Sequence, residues 1–436
     1  VVFVVVLANV LGGGMRAVTV VQAFQYWVKL FAIAAPTFLL CAVFFVGHDS
    51  APQRVSDLVG PEFTRDTTVT VKMPVTLRVS QPVRLSAQGV VDGFHTDGGV
   101  VWLADRDYPV ESGATLRFSA GSPVPVVSDA AQSNSDWLRP QSGGASNLLA
   151  TYSLIFALFA GTMGLPHVLV RFYTNPTGAA ARRTTLHVLV LLGLFYLFPT
   201  ILGALSRLYV PELLVTGRTD AAVLLLPTKM LGGMPGQLVV AVIAAGAFAA
   251  FLSTSSGLLS SIAGVLSTDV LRGRVRDFRL AALIAGVIPL VLALTLRPSD
   301  ISISVGMSFT LAASTFCPVL VLGIWWRRLT WVGATAGMVV GGGLVTVALG
   351  LNVVSRFTGD WASALLQQPA LITVPAAFLV TIGVSKATPH HVPADIRAIM
   401  VRLHSPDRLG FIRDRDVVRF GKLDERSRLI PGRHRK

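Results

Sequence analysis

The chain has 436 residues, 52% hydrophobic and 14% charged, with 37 Lys and Arg against 23 Asp and Glu for a formal charge of +14. Water-soluble chains carry roughly 25% charged residues, so this composition excludes an ordinary soluble globule and calls for a bilayer, crossed by helices of about 20 mostly apolar residues. Nucleic acid as a partner is excluded by position: the Arg residues sit in short gaps between apolar runs and in the C-terminal tail, the pattern of cytoplasmic loops beside anionic headgroups.

In chain order, the first element is an incomplete apolar segment, 1–12. It has no initiator Met and no charged n-region, so it is not a signal peptide. It reads as a helix entered partway, and the chain as the C-terminal portion of a longer one. Gly12, Gly13 and Gly14 predict a tight cytoplasmic turn carrying Arg16, followed by a span over 18–46 with Gln22, Gln25 and Lys29. An ionisable residue inside an apolar helix is a functional candidate, although Lys29 could equally snorkel to the interface. Cys41 and Cys317 both lie in apolar runs and read as packing residues; no Cys/His cluster has metal-ligand spacing.

Residues 47–146 break the apolar pattern. Between Asp66 and Gln81, Val69, Val71, Met73, Val75, Leu77 and Val79 alternate with polar residues, which predicts a half-buried strand. Asp92-Gly93 and Asp97-Gly98 mark turns, and Val100 to Leu103 and Thr115 to Phe118 read as further strands. With eleven acidic and eight basic residues, this is not a basic cytoplasmic loop. It is expected to be a small β-rich insert outside the cell, returning to the membrane through the linker Gln141 to Asn147.

Seven more spans follow, near 147–172, 185–209, 236–268, 279–296, 301–326, 331–351 and 369–386. The first contains Gly161-Thr162-Met163-Gly164-Leu165-Pro166-His167 and runs on to Arg171. Two glycines and a proline in one span interrupt the helix and free backbone groups, an arrangement found where a transporter lines its binding site. Gly161, Thr162, Gly164, Pro166 and His167 are therefore substrate-pathway candidates; Arg171 could meet a carboxylate or simply mark topology. In 236–268, Ser253, Thr254, Ser255 and Ser256 form four consecutive hydroxyl residues mid-span, followed by Ser260 and Ser261. Ser253, Ser256 and Ser260 share one helix face. Hydroxyl and carbonyl oxygens are the hard ligands an alkali cation needs, while small residues also serve helix packing; both explanations stand at this point. After the last span a basic tail, 387–436, alternates Arg with Asp, a solvated and partly helical composition.

Arg16, Arg171, Arg182, Arg183, Arg272, Arg274, Arg276, Arg279, Arg327 and Arg328 fall in one set of alternating loops, ten positive residues against five (Arg207, Arg218, Lys229, Arg297, Arg356) in the other. The richer side, which includes the tail, should be cytoplasmic. The organisation is then two helices (1–46, the first partial), the β-rich insert (47–146), seven helices (147–386) and the cytoplasmic tail (387–436).

The runs GGGMRAVTVVQAFQYWVKL, GTMGLPHVLVRF, GAFAAFLSTSSGLLSSIAGVLSTDV, LAASTFCPVLVLGIWWRR and GATAGMVVGG together resemble the sodium:solute symporter family, in its cation/acetate branch. The resemblance covers the membrane segments but not the β-rich insert. It implies an all-α polytopic bacterial inner-membrane protein with about thirteen spans on a leucine-transporter-like core of inverted repeats, of which this chain would hold the last nine. It further implies a sodium site built from the Ala250 carbonyl and the Ser253 and Thr254 hydroxyls, with other ligands from a first core helix that this sequence does not contain. The expected activity is sodium- or proton-coupled symport of acetate or another short monocarboxylate, with no cofactor besides the coupling ion. No Ser/His/Asp set or phosphate loop points to an enzyme. The rivals are a symporter-like sensor, against which the short tail counts, and an anchoring protein that uses the insert.

Overall fold

The structure is a computed structural model that describes residues 2–46, 61–128, 130–138, 145–169, 178–217, 219–271, 275–295, 301–358, 361–404, 417–419 and 422–423. Most of these are helical. Six helices are long and apolar enough to cross a membrane among the described residues: Val21–Val46, Gly178–Tyr209, Gly233–Val270, Ser304–Trp325, Trp331–Ser355 and Ala370–Ala387. Phe3–Gly12, Leu148–Gly164 and Ala222–Leu231 are shorter apolar helices. This is a polytopic helical membrane protein.

Helix α1 runs from Val2 to Val46, where the glycines predict two spans joined by a turn. In lipid an open turn would expose unpaired N–H and C=O groups, whereas glycine keeps its N–H and costs a helix only about 1 kcal/mol relative to Ala. The helix is nevertheless not straight. Asn9 donates to Ser256 while Ala32 lies against Gly246, ten residues earlier on the same partner helix. A straight helix would separate Asn9 from Ala32 by about 35 Å, against about 15 Å between Gly246 and Ser256. α1 therefore bends between these points, in the stretch that holds Gly12 to Gly14.

The region after α1 folds as an antiparallel sheet of seven strands: β1 (Thr67–Thr70), β2 (Val75–Arg78), β3 (Val83–Val91), β4 (Phe94–Trp102), β5 (Asp107–Val110), β6 (Thr115–Phe118) and β7 (Val126–Val127), in the order β1-β6-β3-β5-β2-β7 with β4 on β3. The alternation over Asp66 to Gln81 buries Val69, Val71, Leu77 and Val79 on one face as expected, but yields two strands instead of one. The chain leaves the ladder at Lys72-Met73-Pro74, where Pro74 has no N–H to donate and Met73 is exposed. Asp92-Gly93, both at positive φ, closes the β3–β4 hairpin. Asp97-Gly98, read as a second turn, lies inside β4 opposite Gln88 and Ala87. Stacked Phe63–Phe118 and Trp102–Tyr108 ring pairs fill the sheet's core.

Beyond the short helix α2 (Asn134–Leu138), α3 (Ala145–Gly164) stops at Leu165 and α4 (Pro166–Leu169) begins at the proline, so the predicted interruption falls within Thr162 to His167. Then come α5 (Gly178–Tyr209), α6 (Glu212–Thr216), α7 (Ala222–Leu231), α8 (Gly233–Val265), α9 (Val275–Thr295), α10 (Ile301–Trp325), α11 (Trp331–Thr358), α12 (Ala364–Gln367), α13 (Ala370–Ala387) and α14 (Ile396–His404). The apolar α7 was hidden between two predicted spans. Two packing groups result. α1, α5, α7, α8 and α9 pack on one another, and α3, α10, α11, α12 and α13 form the second group, with α4 touching α8. The sheet joins the first group through α6, whose Val215 is fully buried in the sheet's core.

Candidate functional site

Along α8 and the π-helical turn Leu266–Val270 that continues it, the buried positions Gly246, Ala249, Ser253, Ser256, Ser260, Ala263 and Ser267 recur at alternating three- and four-residue intervals. All are small, so a neighbour can approach closely. That neighbour is α1: a methyl group on Gly246 would overlap the Ala32 side chain and meet the backbone of Lys29. On α1, Gln22, Gln25, Lys29 and Ala32 repeat the same spacing, so the two helices meet along a seam that is apolar in size and polar in chemistry.

The seam's polar contacts are specific. Gln22 Nε2, buried, donates to the Ser253 carbonyl at 2.8 Å, and Asn9 Nδ2 donates to Ser256 Oγ at 3.4 Å. Gln25 lies between Gln22 and Lys29, level with the turn that holds Ala249 and Ala250; its Oε1 is buried and accepts no hydrogen bond among the described residues. Lys29 Nζ lies 5.9 Å from the Tyr26 ring centroid. Asn9 drew no notice in the sequence, although an amide in an apolar run was the available signal.

The hydroxyls of α8 divide into two sets. Ser260 Oγ donates to the Ser256 carbonyl at 2.6 Å, Ser261 Oγ to Gly257 at 2.9 Å and, just past the helix, Thr268 Oγ1 to Gly264 at 3.0 Å. These bond back to their own helix, the usual resting state of such groups in lipid. Among the described residues, no hydrogen bond is made by the hydroxyls of Ser253, Thr254 or Ser255. Ser253 is buried in the seam, Ala250 is half-buried, and Thr254 lies on the exposed stripe with Phe251, Leu258 and Ile262. The Ala250 carbonyl, Ser253 Oγ and Thr254 Oγ1 thus lie within one turn, at the edge between seam and exposed face. A carbonyl has two lone pairs, so Ala250 can keep its helical bond and still take a cation. These neutral oxygens fit a hard cation.

The second candidate set has a different character. Gly161 lies against the Phe309 backbone and Gly164 against the Ala312 carbonyl and Phe316, so each lets α3 approach α10. Thr162 Oγ1 donates to its own helix at Leu158 and is exposed. The side chains of Pro166 and His167 and all of Arg171 lie outside the described residues. α4 meets α8, which brings the interruption near the seam without joining the two residue sets.

Comparison with known proteins adds to this geometry. The profile of the sodium:solute symporter family matches residues 119–341, which include α8 and begin after β6. A monocarboxylic acid transporter of Corynebacterium glutamicum is 30% identical over 250 residues, covering 52% of this chain and 44% of its own. An uncharacterised symporter of Cupriavidus necator is 33% identical over 297 residues (56% of this chain, 43% of the relative), and one of Bacillus subtilis 30% over 251 residues (53% and 48%). The chain spans about half the length of the curated relatives it matches. No solved structure matches it.

Proposed function

This chain belongs to the sodium:solute symporter family, whose members are multi-pass membrane transporters rather than enzymes, and on that premise we propose that it works in sodium-coupled symport of acetate or another short monocarboxylate across a bacterial plasma membrane. The observation that carries this reading is the hydroxyl set at Ser253 and Thr254, unbonded among the described residues, in the middle of an apolar span, where an unmade hydrogen bond has a cost. Sodium binding offsets that cost, with the Ala250 carbonyl and the two hydroxyls as ligands. Three oxygens are too few to replace the ion's hydration shell, so the remaining ligands come from another segment of the transporter. Neutral hydroxyls and carbonyls hold a cation but do not titrate, which favours sodium over a proton as the coupling ion.

In this account the helices form part of a leucine-transporter-like core of inverted repeats. Sodium stabilises an outward-open state, the carboxylate is occluded, and one helix group rocks against the other. The bend in α1 and the break at Leu165 are where such a core can move. The sheet lies outside the cell. The monocarboxylate substrate class is drawn from the Corynebacterium glutamicum relative.

The test is uptake of labelled acetate by cells expressing this chain together with the transporter segment that supplies the remaining ligands. An inward sodium gradient at fixed pH should drive accumulation, unlabelled propionate should compete, and a proton gradient without sodium should not suffice. Accumulation indifferent to sodium would overturn the coupling, and absence of any carboxylate uptake would overturn the substrate class.

A further inference from the structure

A charged group is buried away from the neutral α8 hydroxyls. Arg207, in the last turn of α5, is 7% exposed. Its Nε donates to Asn134 Oδ1 at 2.9 Å, its Nη2 to the Ser133 carbonyl at 3.1 Å, and its guanidinium carbon lies 5.2 Å from the Trp137 ring centroid. Every one of these partners is neutral. Asp136, two residues from Asn134, instead accepts the Ser133 hydroxyl at 2.7 Å. The C-terminal end of a helix favours a cation, and the contacts clamp α2 to α5. That explains the position of Arg207 but not why a buried charge has no counter-charge among the described residues, when buried charges are normally paired.

Arg207 also lines a cavity of about 300 Å3 between the sheet and α5, together with Pro61, Glu62, Phe63, Thr64 and Leu208. Backbone bonds from Phe63 to the Ser122 carbonyl and from Gly121 to the Phe63 carbonyl fix its sheet wall. The volume is at the low end of small-ligand pockets. One wall carries the Arg207 cation beside the Asn134 amide, the Glu62 carboxylate and Thr64 hydroxyl stand on the sheet side, and Pro61, Phe63, Gly121 and Leu208 supply the apolar surface. A small anion with a short apolar tail matches that lining. Among the described residues Glu62 is the one carboxylate lining this cavity, and it makes no ion pair with Arg207.

We propose that this cavity is a binding site for short monocarboxylate anions, with Arg207 as the charge partner, separate from the α8 cation site. The inference rests on the proposed function for the substrate class alone; it needs no sodium.

The test is equilibrium dialysis of labelled propionate with the protein in phosphatidylcholine nanodiscs, sodium replaced by choline. Propionate should bind and propionamide should not compete. Arg207→Gln should weaken binding by roughly tenfold or more, as expected for a lost charge-assisted hydrogen bond, and Arg207→Lys should retain most of it. Ser253→Ala should leave it unchanged, so failure of sodium coupling and failure of this site are told apart. Should Arg207→Gln not fold, Glu62→Gln decides: removing a carboxylate from the cavity tightens propionate binding if the anion sits there. No binding without sodium, competition by propionamide, or loss of binding in Ser253→Ala would overturn the proposal. So would affinity unchanged in a folded Arg207→Gln protein or, failing that variant, in Glu62→Gln.

Discussion

Ser253, Thr254 and Ser255 on α8 and Ser314, Thr373 and Ser385 on α10 and α13 carry the same chemical group inside the same apolar solvent, yet they are held in opposite ways. In the α10–α13 group each hydroxyl has a fixed partner: Ser314 and Thr373 meet at 2.7 Å, Thr381 donates to the Ala377 carbonyl, and Ser385 accepts from the Thr330 backbone. Gly333, Gly337 and Gly341 on α11 bring the backbones together there, against Ser385, Thr381 and the Ser314 carbonyl. On α8 the small residues allow the same closeness to α1, but three hydroxyls are left without a bond among the described residues. Small polar residues in a span thus do two separable things. They permit close approach, which the α10–α13 group uses to the full, and they present lone pairs, which only a region with unspent hydroxyls can offer a ligand.

Breaking the packing side of this contrast should produce the largest effect. A side chain on Gly341 would run into the Ser314 carbonyl and the Ala377 side chain. Overpacking of that kind costs about 1–3 kcal/mol or more, so Gly341→Val should sharply lower the thermal midpoint in detergent, while whatever folds keeps its normal sodium requirement. A shifted sodium requirement in a stable Gly341→Val protein would blur the line between the two regions.

Gln22→Leu comes next, because it takes a buried donor away from the Ser253 carbonyl. The loss should be about 1–2 kcal/mol of stability, accompanied by weaker sodium-dependent uptake, since Ser253 is no longer held in place. Thr373→Val, which strips Ser314 of its partner, should cost about 0.6–1 kcal/mol, the scale of interhelical hydrogen bonds in membranes, and leave the sodium requirement alone. The smallest effect belongs to Ser260→Ala. Its hydroxyl bonds back to Ser256 and Gly257, so its removal should stay within about 0.5 kcal/mol and change neither stability nor sodium dependence measurably. Thermal melts and sodium titrations on the same membranes check all three.

Much of this arrangement was legible in the residues. The shared face of Ser253, Ser256 and Ser260 follows from helical periodicity, and all three are buried. Pro166 with its flanking glycines announced the break at Leu165, and the alternation of Val69 to Val79 announced the sheet. Where the reading stopped short, the cause was a tertiary partner that no local pattern reveals. Nothing near Gly161 or Gly164 says that α10 will press against them, so they looked like pathway residues when they also serve packing. Arg207 reads as a loop charge because its acceptors lie more than 70 residues earlier. Which α8 hydroxyls bond back and which do not is likewise invisible in the sequence, since Ser253 and Ser260 are the same residue on the same face. Pro74, by contrast, was a signal for splitting the first strand.

The central claim, that the unspent hydroxyls of α8 and not the bonded ones meet the coupling ion, is tested most directly by sodium titration of acetate uptake, normalised to protein in the membrane, for Ser253→Ala, Thr254→Ala and Thr373→Val. Losing one oxygen ligand on the scale of about 1–3 kcal/mol corresponds to roughly a 5- to 150-fold rise in the half-saturating sodium concentration. Ser253→Ala and Thr254→Ala should each show that rise with little change in thermal midpoint, while Thr373→Val shows the reverse. Unchanged half-saturation in both α8 variants, with stability lost in all three, would contradict the account and return the α8 hydroxyls to packing.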